Sequence, residues 1–92
     1  MKQSLKELNS KITNYADTVI EQFANSIATS AEFPRISIAD LKTILLKHDY
    51  VEEGFDSNGY QSDFWLYLNH PIKGKCIVSG DLWYNKCFKI SI

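Results

Sequence analysis

Residues 50–69 read Tyr50-Val51-Glu52-Glu53-Gly54-Phe55-Asp56-Ser57-Asn58-Gly59-Tyr60-Gln61-Ser62-Asp63-Phe64-Trp65-Leu66-Tyr67-Leu68-Asn69. Apolar and polar residues alternate on both sides of Asn58-Gly59. That dipeptide suits the positive φ that both central residues of a type I′ turn require. The stretch predicts a hairpin with strands over residues 50–56 and 60–69 and Asn58-Gly59 as its two-residue loop. In this register Phe55 faces Ser62, Glu53 faces Phe64 and Val51 faces Leu66. Side chains alternate along a strand, so Val51, Phe55, Phe64, Leu66 and Leu68 share one face. Tyr50, Glu52, Asp63, Trp65 and Tyr67 share the other.

Downstream, residues 69–74 have the composition of a turn. A third strand follows over 75–79. Gly80-Asp81 suits a type II′ turn with glycine first, and a fourth strand runs over 82–91. Val78 then faces Trp83, Ile77 faces Tyr84 and Cys76 faces Asn85. One parity carried through the hairpins adds Ile77, Leu82, Tyr84, Phe88 and Ile90 to the aliphatic face. Cys76, Val78, Trp83, Asn85 and Cys87 join the aromatic face.

Upstream, Leu5, Leu8, Ile12, Ala16, Val19, Phe23 and Ile27 recur at intervals of three and four. Their mean lies nearer the helical turn than the heptad, so a helix over 3–28 packs onto a domain rather than forming a long coiled coil. Residues 29–34 end it, because proline disfavours helical geometry at the preceding residue. A second helix spans 38–48, with Ser37 as N-cap and Asp40 near its positive end, close to a capping box. Ile38, Leu41, Ile44, Leu45 and His48 follow helical spacing. The expected fold is α+β (ααββββ): two N-terminal helices packed on one face of a four-stranded antiparallel meander sheet, in one domain over 1–92.

The chain has 92 residues, a net charge of −1 and a single arginine, Arg35. That length fits one core, burying roughly two-thirds of the unfolded surface. Acids slightly outnumber bases, which opposes binding dominated by phosphate contacts. No apolar run resembles a signal sequence or approaches the roughly twenty residues of a membrane span, so a cytoplasmic protein with no membrane contact is expected. Cys76 and Cys87 form neither a disulfide framework nor a CxxC pair. As diagonal neighbours about 7–8 Å apart they lie beyond disulfide reach.

No catalytic motif stands out, and no cofactor or metal is expected. His48 falls near a helix C-terminus, and His70 precedes Pro71 in a turn facing water. Neither has a cysteine or carboxylate at ligand spacing. Glu52, Glu53, Asp56, Asp63 and Asp81 are spread over hairpins without a cleft. Gly54, Gly59, Gly74 and Gly80 are dispersed and form no phosphate loop. The helix-then-hairpin order of residues 36–55 resembles a winged helix in a generic way. Its third helix is missing, however, and Glu52, Glu53 and Asp56 stand where phosphate contacts need lysine.

The aromatic face remains. Two helices cover one side of a four-stranded sheet, and a solvated antiparallel face is normally polar. This one sets Trp65, Val78 and Trp83 in a row, with Tyr67 and Tyr50 beside them. Tryptophan and tyrosine are enriched at binding hot spots, and a contiguous apolar patch marks an interaction site. The expected function is non-enzymatic protein binding, to a partner or a second copy, through Trp65, Trp83, Tyr67, Val78 and Tyr50. Inhibitors, immunity proteins and phage accessory proteins act this way, and the lysine- and asparagine-rich, arginine-poor composition suits a bacterial or phage genome. The alternative is a single-stranded nucleic acid stacked on the same rings and flanked by Lys73, Lys75, Lys86 and Lys89.

Overall fold

The computed structural model describes residues 5–59, 62–83 and 86–92, with side chains from residue 8 onward. The elements are α1 (Leu5–Ala24), β1 (Ser30–Pro34), α2 (Ile38–Lys47), β2 (Val51–Asn58), β3 (Asp63–His70), β4 (Gly74–Asp81) and β5 (Cys87–Ser91). The mixed α+β character and the antiparallel sheet agree with the sequence. The strand count does not: among the described residues the sheet has five strands in the order β1-β5-β4-β3-β2.

The added strand lies where the sequence reading placed a helix terminator. Ser30-Ala31-Glu32-Phe33-Pro34 alternates in character, and Phe33 and Ala31 turn toward the core, opposite Phe88 and Ile90 of β5. Pro34 is tolerated because β1 is an edge strand and Pro34 is its last residue. Helix α1 accordingly stops at Ala24 rather than near 28. Ile27, counted in the apolar stripe, is fully exposed, whereas Ala16, Ile20, Phe23 and Ala24 are buried. Residue 3 and the side chain of Leu5 lie outside the description.

Helix α2 matches its reading. Ser37 Oγ accepts a 3.1 Å hydrogen bond from the Asp40 N–H, and His48 is the C-cap. The chain then turns in a Schellman motif: the Tyr50 N–H donates to Leu45 O at 2.9 Å and the Asp49 N–H to Leu46 O at 3.2 Å. Asp49 holds the left-handed position at φ 68°, a conformation that aspartate tolerates better than most side chains. The motif directs Tyr50 inward, where it is buried and donates its hydroxyl to Ile20 O at 3.1 Å. Tyr50 is therefore a core residue and not part of an exposed aromatic face.

The hairpin at Asn58-Gly59 exists, but its loop is longer than two residues. Asn58 still belongs to β2 and pairs with Asp63, so residues 59–62 form the connection. Tyr60 and Gln61 lie outside the described residues. Phe55 pairs with Leu66 rather than Ser62, an even shift that leaves it on the same side as Phe64, Leu66 and Leu68. A bulge between Glu52 and Gly54 then reverses parity. Val51 goes to the second face, opposite Asn69, and Glu52 to the core side, opposite Leu68.

Between β3 and β4 the turn is Pro71-Ile72-Lys73, closed by Gly74 at φ 78°, a value that favours glycine. Gly80 and Asp81 form no turn; they continue β4, opposite Phe64 and Asp63. Val78 pairs with Ile90, seven positions beyond the expected Trp83. An odd displacement exchanges the two faces of a strand. Cys76 and Val78 are thus buried, Val78 completely, and Ile77 lies on the second face. Tyr84 and Asn85, expected opposite Ile77 and Cys76, lie outside the described residues.

Buried residues of both helices join Phe33, Phe64, Leu66, Leu68, Val78, Phe88 and Ile90 in one core cluster. The Phe88 ring meets Phe33 edge-on at 6.0 Å and Phe64 at 5.0 Å. Cys76 and Cys87 are both free thiols, and they lie on opposite faces rather than diagonally on one. Among the described residues no helix is long and apolar enough to cross a membrane.

Candidate functional site

The ladder register lays out the second face of the sheet as rows. One row runs Glu32, Lys89, Ser79, Trp65, Asp56 from β1 to β2; the next runs Ser30, Ser91, Ile77, Tyr67, Gly54. A third joins Lys75, Asn69 and Val51, and a fourth joins Asp81, Asp63 and Asn58. Trp65, Tyr67 and Ile77 therefore meet at the centre. Their neighbours Ser79, Ser91 and Gly54 are small, so the aromatic rings have a low rim. The Tyr67 ring lies beside Gly54, where an added Cβ would sit 3.6 Å from Cδ2.

This corrects the five-residue site expected from the sequence. Trp65 and Tyr67 are on the second face as expected. Val78 and Tyr50 belong to the core. Trp83 is 71% exposed but follows β4 and lies in no strand. Its backbone N–H donates to Asp81 Oδ1 at 2.6 Å and its indole N–H donates to Ser62 Oγ. It stands at the end of the sheet beside the β2–β3 connection, not in a row with Trp65. Ile77, opposite Tyr67, and Val51, opposite Asn69, are the apolar residues that stand on this face in place of Val78 and Tyr50. A displacement of register, not residue type, hid them.

Charge on this face is uneven. Glu32, Asp56, Asp63 and Asp81 share it with Lys75 and Lys89. Asp56, Asp63 and Asp81 lie toward the end that carries the β2–β3 connection.

A second polar cluster joins the helices. Asp17 of α1 receives the Lys47 ammonium at 2.8 Å and the His48 ring nitrogen at 2.7 Å, one on each carboxylate oxygen. Ligand atoms of Asp17, Glu21 and His48 lie within 4.8 Å of one another. Sequence spacing does not reveal this, because the residues come from two helices thirty positions apart. Both Asp17 oxygens are already bonded to cations or potential cations, so the cluster works as an ion-pair clip between α1 and the end of α2. The hydrogen bond from Lys47, then that from His48, holds the Asp17 carboxyl below the ordinary carboxylate range.

A carboxyl depressed on folding contributes stability above its unfolded value, near 3.9, and loses that contribution as pH falls through the folded value. Asp17→Asn is therefore expected to destabilise at pH 6, with the gap to wild type narrowing by pH 3. Urea unfolding at the two pH values measures this; an unchanged gap would remove the clip from the account.

Comparisons with protein-family models, curated proteins and solved structures each find no match. The functional reading rests on the geometry.

Proposed function

We propose that this protein is a non-enzymatic binding module: the helices cover one side of the sheet, and the other engages a partner protein. The observation that carries this is the meeting of Trp65, Tyr67 and Ile77 at the centre of the second face. A wetted antiparallel face is ordinarily polar, whereas a central aromatic cluster with a polar rim is the anatomy of a protein interface. The module acts by occupying a partner's surface, as inhibitors and immunity proteins do. A nucleic-acid partner is disfavoured by charge, since among the described ladder residues four carboxylates share the face with two lysines.

Site-specific photo-crosslinking tests this. A benzophenone side chain at position 67 is expected to give discrete protein adducts in native-host cells, resistant to nuclease. The same group at position 15, on the exposed side of α1, should give none of them. Trp65→Ser should abolish the adducts while the protein stays folded by circular dichroism. Equal adducts from both positions, or adducts dissolved by nuclease, would reject the reading.

A further inference from the structure

The sheet ends in two edge strands, β1 and β2. They differ in what they offer. β1 has five residues and ends in Pro34, which blunts it. β2 has eight residues, all exposed or half-exposed. Its bulge is confined to Glu52–Gly54, so the ladder from Gly54 to Asn58 is regular. Among the described residues no strand pairs with the outer edge of Gly54–Ser57.

The two sides of β2 differ chemically. On the core side, Phe55 is 47% exposed and Leu46 of α2 is 74% exposed. Beside them runs a groove of about 160 Å³, floored by Leu45, Tyr50, Leu66 and Leu68. Lys42 reaches across from α2, 3.4 Å from Glu52 and 5.7 Å from the centre of the Phe55 ring. On the other side stands Asp56, whose Oδ1 accepts the Ser57 N–H at 2.9 Å and whose charge faces outward, with Glu53 in the bulge. Charges on an edge strand deter pairing, but they do so by sign. Two copies of β2 side by side would set Glu52, Glu53 and Asp56 against one another, which is unfavourable. A basic segment meets the opposite field.

We propose that the outer edge of β2 accepts an extended segment of a partner protein as a sixth strand, with alternate apolar side chains over Phe55 and the groove beside it and alternate lysines or arginines against Glu53 and Asp56. Backbone pairing supplies affinity, and the alternating side chains supply selectivity. This surface borders the Trp65–Tyr67 face at Asp56, which lies opposite Trp65, but strand pairing on the outer edge of β2 does not use those rings, so either proposal can fail without the other.

The test is titration of the ¹⁵N-labelled full chain with an acetylated, amidated octapeptide of four lysine–valine repeats. Two controls accompany it: the same peptide with alternate backbone nitrogens methylated on each edge in turn, and a glutamate–valine octapeptide. Saturable amide shifts along Gly54–Asn58 are expected, weakened by salt and absent with the glutamate peptide. Reversing two exposed charges with Glu53→Lys and Asp56→Lys should weaken binding roughly tenfold. Lys42→Ala should tighten it by uncovering the Phe55 ring, over which the Lys42 ammonium lies. Trp65→Ser should leave the titration unchanged. No saturation at millimolar peptide, undiminished binding by both methylated peptides, or shifts centred on Trp65 and Tyr67 would each overturn the proposal.

Discussion

Phe88→Ala is expected to lower the unfolding free energy by about 3–5 kcal/mol, the range for deleting a fully buried aromatic ring. Phe88 has no exposed surface, and it is the middle ring of a three-ring stack. Phe33 meets it edge-on at 86° and Phe64 at 81°. Its loss empties the joint between the edge strand β1 and the centre of the sheet. A domain of this size has about 5–15 kcal/mol in total, so urea unfolding should show a large fall in midpoint. The same joint can be tested by overfilling. A Cβ built on Gly80 would lie 2.5 Å from Phe88 Cδ1 and 3.2 Å from Phe64 Cε1. Neither ring is a free end that swings aside, because each is wedged by the other. Gly80→Ala should cost about 1–3 kcal/mol. That penalty should fall in a Phe88→Leu background, where the clashing ring is gone. A Phe88→Ala cost below about 1 kcal/mol, or strictly additive Gly80 and Phe88 effects, would contradict this packing.

What the sequence disclosed, and what it withheld, follows from the range of the forces involved. Local rules worked where the decisive contacts are local. Ser37 caps α2, and the alternation of Phe64, Leu66 and Leu68 places β3 correctly. Phe88 and Ile90 fell on the buried side for the same reason. Most of the failures concern register or contacts between segments. Gly80-Asp81 has the composition of a tight turn, yet Gly80 is there because Phe88 fills the space over it. That is a long-range requirement with no local signature. The odd displacement that resulted moved Val78 and Cys76 from one face to the other and put Ile77 in the candidate site. Tyr50 reads as the first residue of a strand, but the Schellman turn at Asp49 makes it a residue of the core. β1 did carry a local signal, the alternation of apolar Ala31 and Phe33 with polar Ser30 and Glu32. It was masked by the proline after them, which marks an edge strand as readily as a helix end. Trp65 and Tyr67 survived because they sit on β3, the strand whose parity was fixed by its own residues.

His70→Ala is expected to cost about 2–4 kcal/mol, because His70, read from the sequence as a solvated turn residue, is a buried organiser. Its Nδ1 accepts the N–H groups of Ile72 and Lys73 at 3.1 and 3.2 Å, so the proton resides on Nε2, which donates to His48 O at 3.1 Å. The ring packs on Tyr50 at 4.6 Å. Three hydrogen bonds at about 1 kcal/mol each set the scale, with stranded amides adding to it. The bonds also aim Lys73. Its ammonium donates to Ser26 O and Ala28 O, both at 2.6 Å, and lies 4.4 Å from the centre of the Phe23 ring. One imidazole thus ties the β3–β4 turn to the end of α2 and, through Lys73, to the exit of α1. His70→Asn should recover part of the loss, since its side-chain oxygen can accept the same turn amides but reaches neither His48 O nor the Tyr50 ring. In a double-mutant cycle with Lys73→Met, the two residues should couple by about 1 kcal/mol, as members of one network do. Coupling within error of zero would separate the lysine from the histidine. A His70→Ala cost no larger than that of a surface substitution would show that the turn holds itself.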